Sequence, residues 1–315
     1  MNIRVPTPDD VAAAADRIRG HVRRTPLIGV PSGTFGVDAP LALKLELLQH
    51  SGSFKPRGVF NRALTRDVPP AGLVIASGGN AALALLHVGR RLGHAVEVFV
   101  PETAPAVKVA KLHHYGANVH QAGRDFAAAV VASERRAAET GALLMHAYDQ
   151  PEVVAGQGTV ALELERQCPD LDTVLVACGG GGLAGGMAAW FDRRVRVVAV
   201  EASGSPTLAA ARAAGERVTI SVGGVAADAL GASRIGAIAW EIAQRAIDEV
   251  VVVPGEEILD ARQRLWDELR ICAEPGAAAP LAALVNGGYV PEANERVAVI
   301  VCGGNSDPAT LKAAR

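Results

Sequence analysis

The sequence predicts an α/β fold made of open, twisted, mostly parallel sheets flanked by helices. Two observations predict it. Short apolar runs that read as strands alternate with helical stretches along almost the whole chain, and such alternation places helices on both faces of parallel strands. The number of strands also exceeds what one sheet usually holds, so two sheets are expected.

Taken in order, Val11–Ala15 is an Ala-rich helix former. Leu41–Glu46 reads as a strand, and Leu73–Ala76 as a short apolar strand leading through Ser77-Gly78-Gly79-Asn80 into a helix over Ala81–Leu92. Ala95–Val100 is a strand ended by Pro101, Pro105–Tyr115 a helix, Asn118–Gln121 extended and Asp125–Glu139 helical. Ala142–His146 is a strand and Pro151–Arg166 a helix. Thr173–Ala177, Val195–Glu201, Glu249–Val253 and Arg296–Cys302 complete the strands, and Ala277–Ala283 is helix-forming apart from Pro280. No repeat, low-complexity linker or charge block interrupts the pattern.

The 315 residues are half hydrophobic and carry a formal net charge of -2. That is enough for one large or two modest domains with a true core. A near-neutral chain without basic runs has no electrostatic footprint for nucleic acid, and no apolar stretch reaches membrane-spanning length. The start, Met1-Asn2-Ile3-Arg4-Val5-Pro6, lacks a signal-peptide layout. Cys168, Cys178, Cys272 and Cys302 form no C-x-x-C pair, which fits reduced thiols and a cytoplasmic location. His87, His94, His113 and His114 have no metal-ligand spacing and read as surface or packing residues.

The segment Ser53-Phe54-Lys55-Pro56-Arg57-Gly58 puts a lysine at a loop-to-helix junction, with Pro56 suited to the first helical turn and Ser53 able to cap the helix. An amine held there can form a Schiff base with a carbonyl. Gly179-Gly180-Gly181-Gly182, between a strand and a helix that begins near Leu183, can converge backbone N–H groups on a phosphate. Ser77-Gly78-Gly79-Asn80-Ala81 can grip a carboxylate, and Cys302 ends an apolar strand where ligands of open parallel sheets gather. Each motif also has an ordinary reading: a solvated lysine, a close-packed turn, a capped helix, a small buried hydrophobe. A rival function is open as well. Gly180-x-Gly182-x-x-Gly185 with Glu201 about 20 residues on fits a dinucleotide fingerprint and an NAD-dependent oxidoreductase. That reading leaves Lys55, the Ser77–Asn80 turn and the preceding strand–helix units without a role.

Together these pieces resemble the fold-type II pyridoxal-phosphate enzymes, specifically the threonine/serine dehydratase and serine racemase family. The resemblance runs from Leu45-Glu46 through Gly58, Ser77–Ala81, Ala155–Thr159, Gly179–Leu183, Val200-Glu201, Ala227-Asp228 and Glu274-Pro275-Gly276 to Cys302–Asn305. It implies a large cofactor-binding domain from residues 1–71 and 147–315, a small domain from 72–146, and pyridoxal 5'-phosphate in the cleft between them. It further implies that Lys55 is the Schiff-base lysine, that Phe54 packs beside the ring, that Asn80 bonds the ring hydroxyl and that Cys302 stands near the pyridine nitrogen. Gly179, Gly180, Gly181, Gly182 and Leu183 would complete the cofactor set, while Ser77, Gly78, Asn80 and Ala81 would bind the substrate.

The implied activity is that of a threonine/serine ammonia-lyase, a dehydratase converting L-threonine and/or L-serine to a 2-oxo acid and ammonia, with Lys55 as the base for the Cα proton. A serine or other amino-acid racemase and a hydroxyaspartate dehydratase are alternatives on the same scaffold. Racemases of this family carry serine where this chain has Gly78, which points to elimination. A cation site of the family is matched by Glu201 and the Ser205 carbonyl, but Thr207 stands where a second acid is expected, so no metal is assigned. Ala229 replaces a frequent glycine after Asp228. The chain stops soon after Asn305, which suggests a short form without a regulatory domain; a homodimer and a small amino-acid substrate are the expected partners.

Overall fold

The computed structural model describes residues 3–312. Among them, ten strands occur in chain order: β1 (Leu27–Val30), β2 (Leu41–Lys44), β3 (Leu73–Ala76), β4 (Val96–Val100), β5 (Asn118–Gln121), β6 (Leu143–Met145), β7 (Thr173–Ala177), β8 (Arg196–Ala202), β9 (Glu249–Val253) and β10 (Val297–Ile300). They form two sheets, ordered β1-β2-β10-β7-β8-β9 and β5-β4-β3-β6. Every pairing is parallel except β1 with β2. Strands β3, β4, β7 and β10 are buried along their whole length, as expected where helices cover both faces. The alternation read from the sequence therefore gives the right fold class.

The differences are local and have physical causes. The first expected strand stops at Lys44, because Glu46 enters a 3-10 turn and turns inward to Arg57. β1 had no counterpart in the sequence reading: it is a four-residue antiparallel edge between Pro26 and Pro31, too short to show a period. The helix Pro275–Val285 runs through Pro280, with residues 276–284 all buried. Packing of that apolar helix outweighs the one backbone bond that proline removes. Ser53 does not cap the helix Pro56–Thr65. Its backbone bridges to Gly303, and its buried hydroxyl has no partner among the described residues.

Two packing features place that helix. The first is a close crossing with the helix Pro151–Gln167. A Cβ at Gly58 would stand 2.6 Å from the Val153 carbonyl oxygen, and one at Gly156 would stand 2.6 Å from that of Arg57, so only glycine permits the contact. The second is a buried charge network. The Arg57 guanidinium donates to both Glu46 oxygens (2.8 and 2.7 Å) and to Glu163 Oε2 (3.2 Å), while Lys44 donates to Glu163, the Thr25 carbonyl (2.9 Å) and Gln167 (2.7 Å). Burial favours the neutral form of each group. Arg57 and Lys44 nevertheless hold the Glu163 carboxyl below its usual range, and the two acids hold Arg57 charged. Lys44, buried too, is pushed down despite Glu46 and Glu163.

Removing one member of such a network strands its partners in a low dielectric. Arg57→Met should therefore lower the unfolding free energy by about 3–5 kcal/mol, measured by urea denaturation. A loss below about 1 kcal/mol, the value of an exposed pair, would contradict this role.

Candidate active site

Three strand-to-helix or strand-to-loop turns converge at the carboxyl ends of β3, β7 and β10 on a cleft of about 330 Å³. Phe54, Lys55, Ser77, Gly78, Asn80, Ala81, Gly179, Gly180, Gly181, Gly182, Leu183 and Cys302 all line it, so every site residue expected from the sequence meets in one place.

Lys55 is set by a backbone clasp. Phe54 N donates to the Cys302 carbonyl (3.1 Å), Gly304 N to the Gly52 carbonyl (2.9 Å), and Ser53 bridges Gly303. Lys55 then lies directly before Pro56, the first helical residue. Its Nζ donates to the Ala147 carbonyl (2.8 Å) and sits 5.0 Å from the Phe54 ring centroid. Burial pushes the amine down to about 8, opposed by the charge of Glu274. Cys302 is 3% exposed, and burial pushes its thiol well above the usual range, so it is a neutral S–H.

The four-glycine loop is a cradle that side chains would fill. A Cβ at Gly180 would lie 2.6 Å from the Tyr148 ring, and one at Gly181 would lie 2.5 Å from Ala239 Cβ at a φ of +83°. The helix Gly182–Phe191 begins there, and its first-turn N–H groups have no intrahelical partners. At the 77–80 turn, Gly79 N donates to Ser77 Oγ (3.2 Å) and the helix Asn80–Leu92 starts. Asn80 Nδ2 donates to Glu274 (2.7 and 3.0 Å), and its Oδ1 accepts from Asn305 Nδ2 (2.8 Å). Its amide is thus fixed in orientation by the opposite wall.

Several lining groups have no role in the sequence reading. Glu274 is 6% exposed, and burial pushes its carboxyl upward. Tyr148 packs under the glycine loop, and Lys108 and Asp228 pair across the mouth. Glu274 precedes Pro275 at a helix start, a signal that locates a helix and says nothing of a cleft. The glycine run announces a bulky neighbour without saying which.

Glu201 turns away from any dinucleotide role. It is fully buried and accepts from Leu208 N and Ala209 N (both 2.8 Å), with the Thr207 hydroxyl 3.0 Å away. A ribose could not reach it. No group of three or more metal-binding side chains occurs among the described residues. His87 stacks on His50 (4.5 Å between centroids) and is held to about 4 by burial and the charges around it, a neutral packing residue. No helix among the described residues is long and apolar enough to cross a membrane.

The residues present fit pyridoxal phosphate: a half-buried, easily neutralised amine, a side-chain-free anion cradle at a helix N-terminus, and an uncharged thiol, all lining one cleft. Comparison with known proteins agrees. The chain is 35% identical over 306 residues to an L-threonine ammonia-lyase of Geobacter sulfurreducens, covering 96% of this chain and 76% of that one. It is 33% identical over 310 residues to a beta-hydroxyaspartate dehydratase of Paracoccus denitrificans, covering 96% and 97%. The solved structure of maize serine racemase superposes with a TM-score of 0.90 at 31% identity, over 98% of this chain and 96% of that one. Residues 18–303 match the family described as pyridoxal-phosphate dependent enzyme, and the chain belongs to that family.

Proposed function

We propose that this pyridoxal-phosphate-dependent enzyme is an ammonia-lyase that converts L-threonine and/or L-serine to a 2-oxo acid and ammonia. The observation that carries the reading is the half-buried Lys55 amine, which lines one cleft with the 77–80 turn, the four-glycine loop and Cys302. The relatives named as ammonia-lyase and dehydratase support an elimination. We take residues 72–146 as a small domain closing on the remainder of the chain.

Lys55 would hold the cofactor covalently, with Phe54, Asn80, Leu183 and Cys302 around it and Gly179–Gly182 receiving the phosphate. Bound there, pyridoxal phosphate supplies an electron sink for the substrate's Cα. The Ser77 hydroxyl and the N–H groups at the start of the helix Asn80–Leu92 take the substrate carboxylate, favoured by the helix dipole. Once the substrate amine has displaced it, Lys55 Nζ is free to remove the Cα proton, and burial favours the neutral amine this needs. Cys302 Sγ keeps its proton and adds no anion beside Lys55. Racemisation needs a second proton donor, and Gly78 offers none. A second reading, elimination from 3-hydroxyaspartate, is supported by the similarity to a beta-hydroxyaspartate dehydratase.

The loaded protein should absorb near the visible edge and release 2-oxo acid from threonine or serine. Lys55→Ala should lower kcat by about 10³-fold or more, and an unchanged kcat would refute the assignment. D-Serine should form far more slowly than pyruvate from L-serine; comparable rates on a chiral column would make the enzyme a racemase. The amine must be unprotonated to attack a carbonyl, so capture of pyridoxal phosphate by the cofactor-free protein should accelerate with pH and level off above about 8. Stopped-flow absorbance from pH 6 to 11 measures this. A rise continuing to the ordinary lysine value near 10.5 would show that the cleft does not lower the amine's pKa.

A further inference from the structure

A site for hydroxy amino acids must distinguish a side chain with a second carboxylate from one without. Four charged residues line the cleft among the described residues: Lys55, Glu274, Lys108 and Asp228. Lys108 sits in the first turn of the helix Ala106–His114, and Asp228 in the short helix Ala227–Leu230 on the facing side. Lys108 Nζ donates to Asp228 Oδ1 at 2.6 Å across the opening. Asp228 makes no other side-chain hydrogen bond among the described residues, and its side chain is 80% exposed.

The short helix sits close against two turns of the cleft. A Cβ at Gly179 would meet Leu230 Cα at 2.8 Å, and one at Gly79 would lie 3.5 Å from the Asp228 carbonyl oxygen. The helix thus fills the space between the glycine loop and the 77–80 turn. An ion pair this exposed adds little to stability. Its effect is on what enters: a side-chain carboxylate meets a cation already taken and an anion beside it, while a hydroxyl-bearing side chain meets no net charge.

Resting on the reading of this cleft as an amino-acid site, we propose that Asp228 is a specificity-determining residue that occupies Lys108 and thereby turns away amino acids with a distal carboxylate. L-Alanine and L-aspartate probe this without turnover, because neither carries a hydroxyl at Cβ. The cofactor-loaded protein is titrated with each, and the ratio of their dissociation constants is read from cofactor absorbance. A ratio within one preparation is insensitive to the fraction of folded protein.

In the unmodified protein aspartate should bind at least tenfold more weakly than alanine. Asp228→Asn, which frees Lys108, should shrink that ratio by tenfold or more, and Lys108→Met, which leaves Asp228 alone, should widen it. Raising sodium chloride to 0.5 M should compress all three ratios, as befits exposed charges. Ratios unchanged in both variants, aspartate binding as tightly as alanine in the unmodified protein, or no spectral response to either amino acid would overturn the proposal. Failure of the elimination reading is a separate result: binding ratios as expected, with no 2-oxo acid released from any hydroxy amino acid.

Discussion

The backbone clasp between residues 52–54 and 302–304 is the constraint on which the rest of the site depends. It joins the loop before Lys55 to the loop after β10, and so fixes an amine and a thiol on one wall. Immediately behind it, Arg57 is tied to Glu46 and Glu163, which keeps the helix Pro56–Thr65 from sliding. The glycine contacts at 58 and 156 let that helix lie directly on its neighbour. Reactive placement and buried charge are therefore parts of one arrangement: the network behind holds what the clasp in front presents.

Around this wall the cleft is made chiefly of main chain. The 77–80 turn and the 179–182 loop each open a helix, so both offer N–H groups and a positive dipole end to an anion. Asn80 is held between Glu274 and Asn305, which ties the helix that follows β3 to the wall that follows β10. Each sheet keeps its own apolar core, and Val59, Phe60 and Ala63 of the helix Pro56–Thr65 pack into that of the four-stranded sheet. A phosphate at the glycine loop would be held by main-chain atoms that no side-chain substitution removes, and a substrate carboxylate at the 77–80 turn by such atoms together with the Ser77 hydroxyl.

Much of this was legible in the sequence. Strand–helix alternation pointed to parallel sheets covered by helices on both faces, and nine of the ten strands follow expected segments closely. The exception, Leu27–Val30, is a short edge whose pairing is a tertiary event. Lys55, the two glycine turns and Cys302 stood out because a junction proline, consecutive glycines and a strand end each have a local cause. Tyr148 and Lys108 did not, and Glu274 and Asp228, though in segments that carry the resemblance, had no role assigned, because nothing in their neighbours says which way they face. Ser53 misled for a related reason: a hydroxyl before a helix usually caps it, and here the backbone pairing with Gly303 took the residue out of reach.

The position of β10 has a consequence for how the protein is made. It is the last of the described strands in sequence, yet it lies between β2 and β7 in the middle of the six-stranded sheet. A chain emerging from the ribosome leaves β2 and β7 without the strand between them until β10 has been synthesised, with both flanks exposed to wrong pairings. Insertion of that final strand closes the sheet and brings Cys302–Gly304 to the lysine loop in one event, so a nascent chain has no pocket to load before its folding is nearly complete.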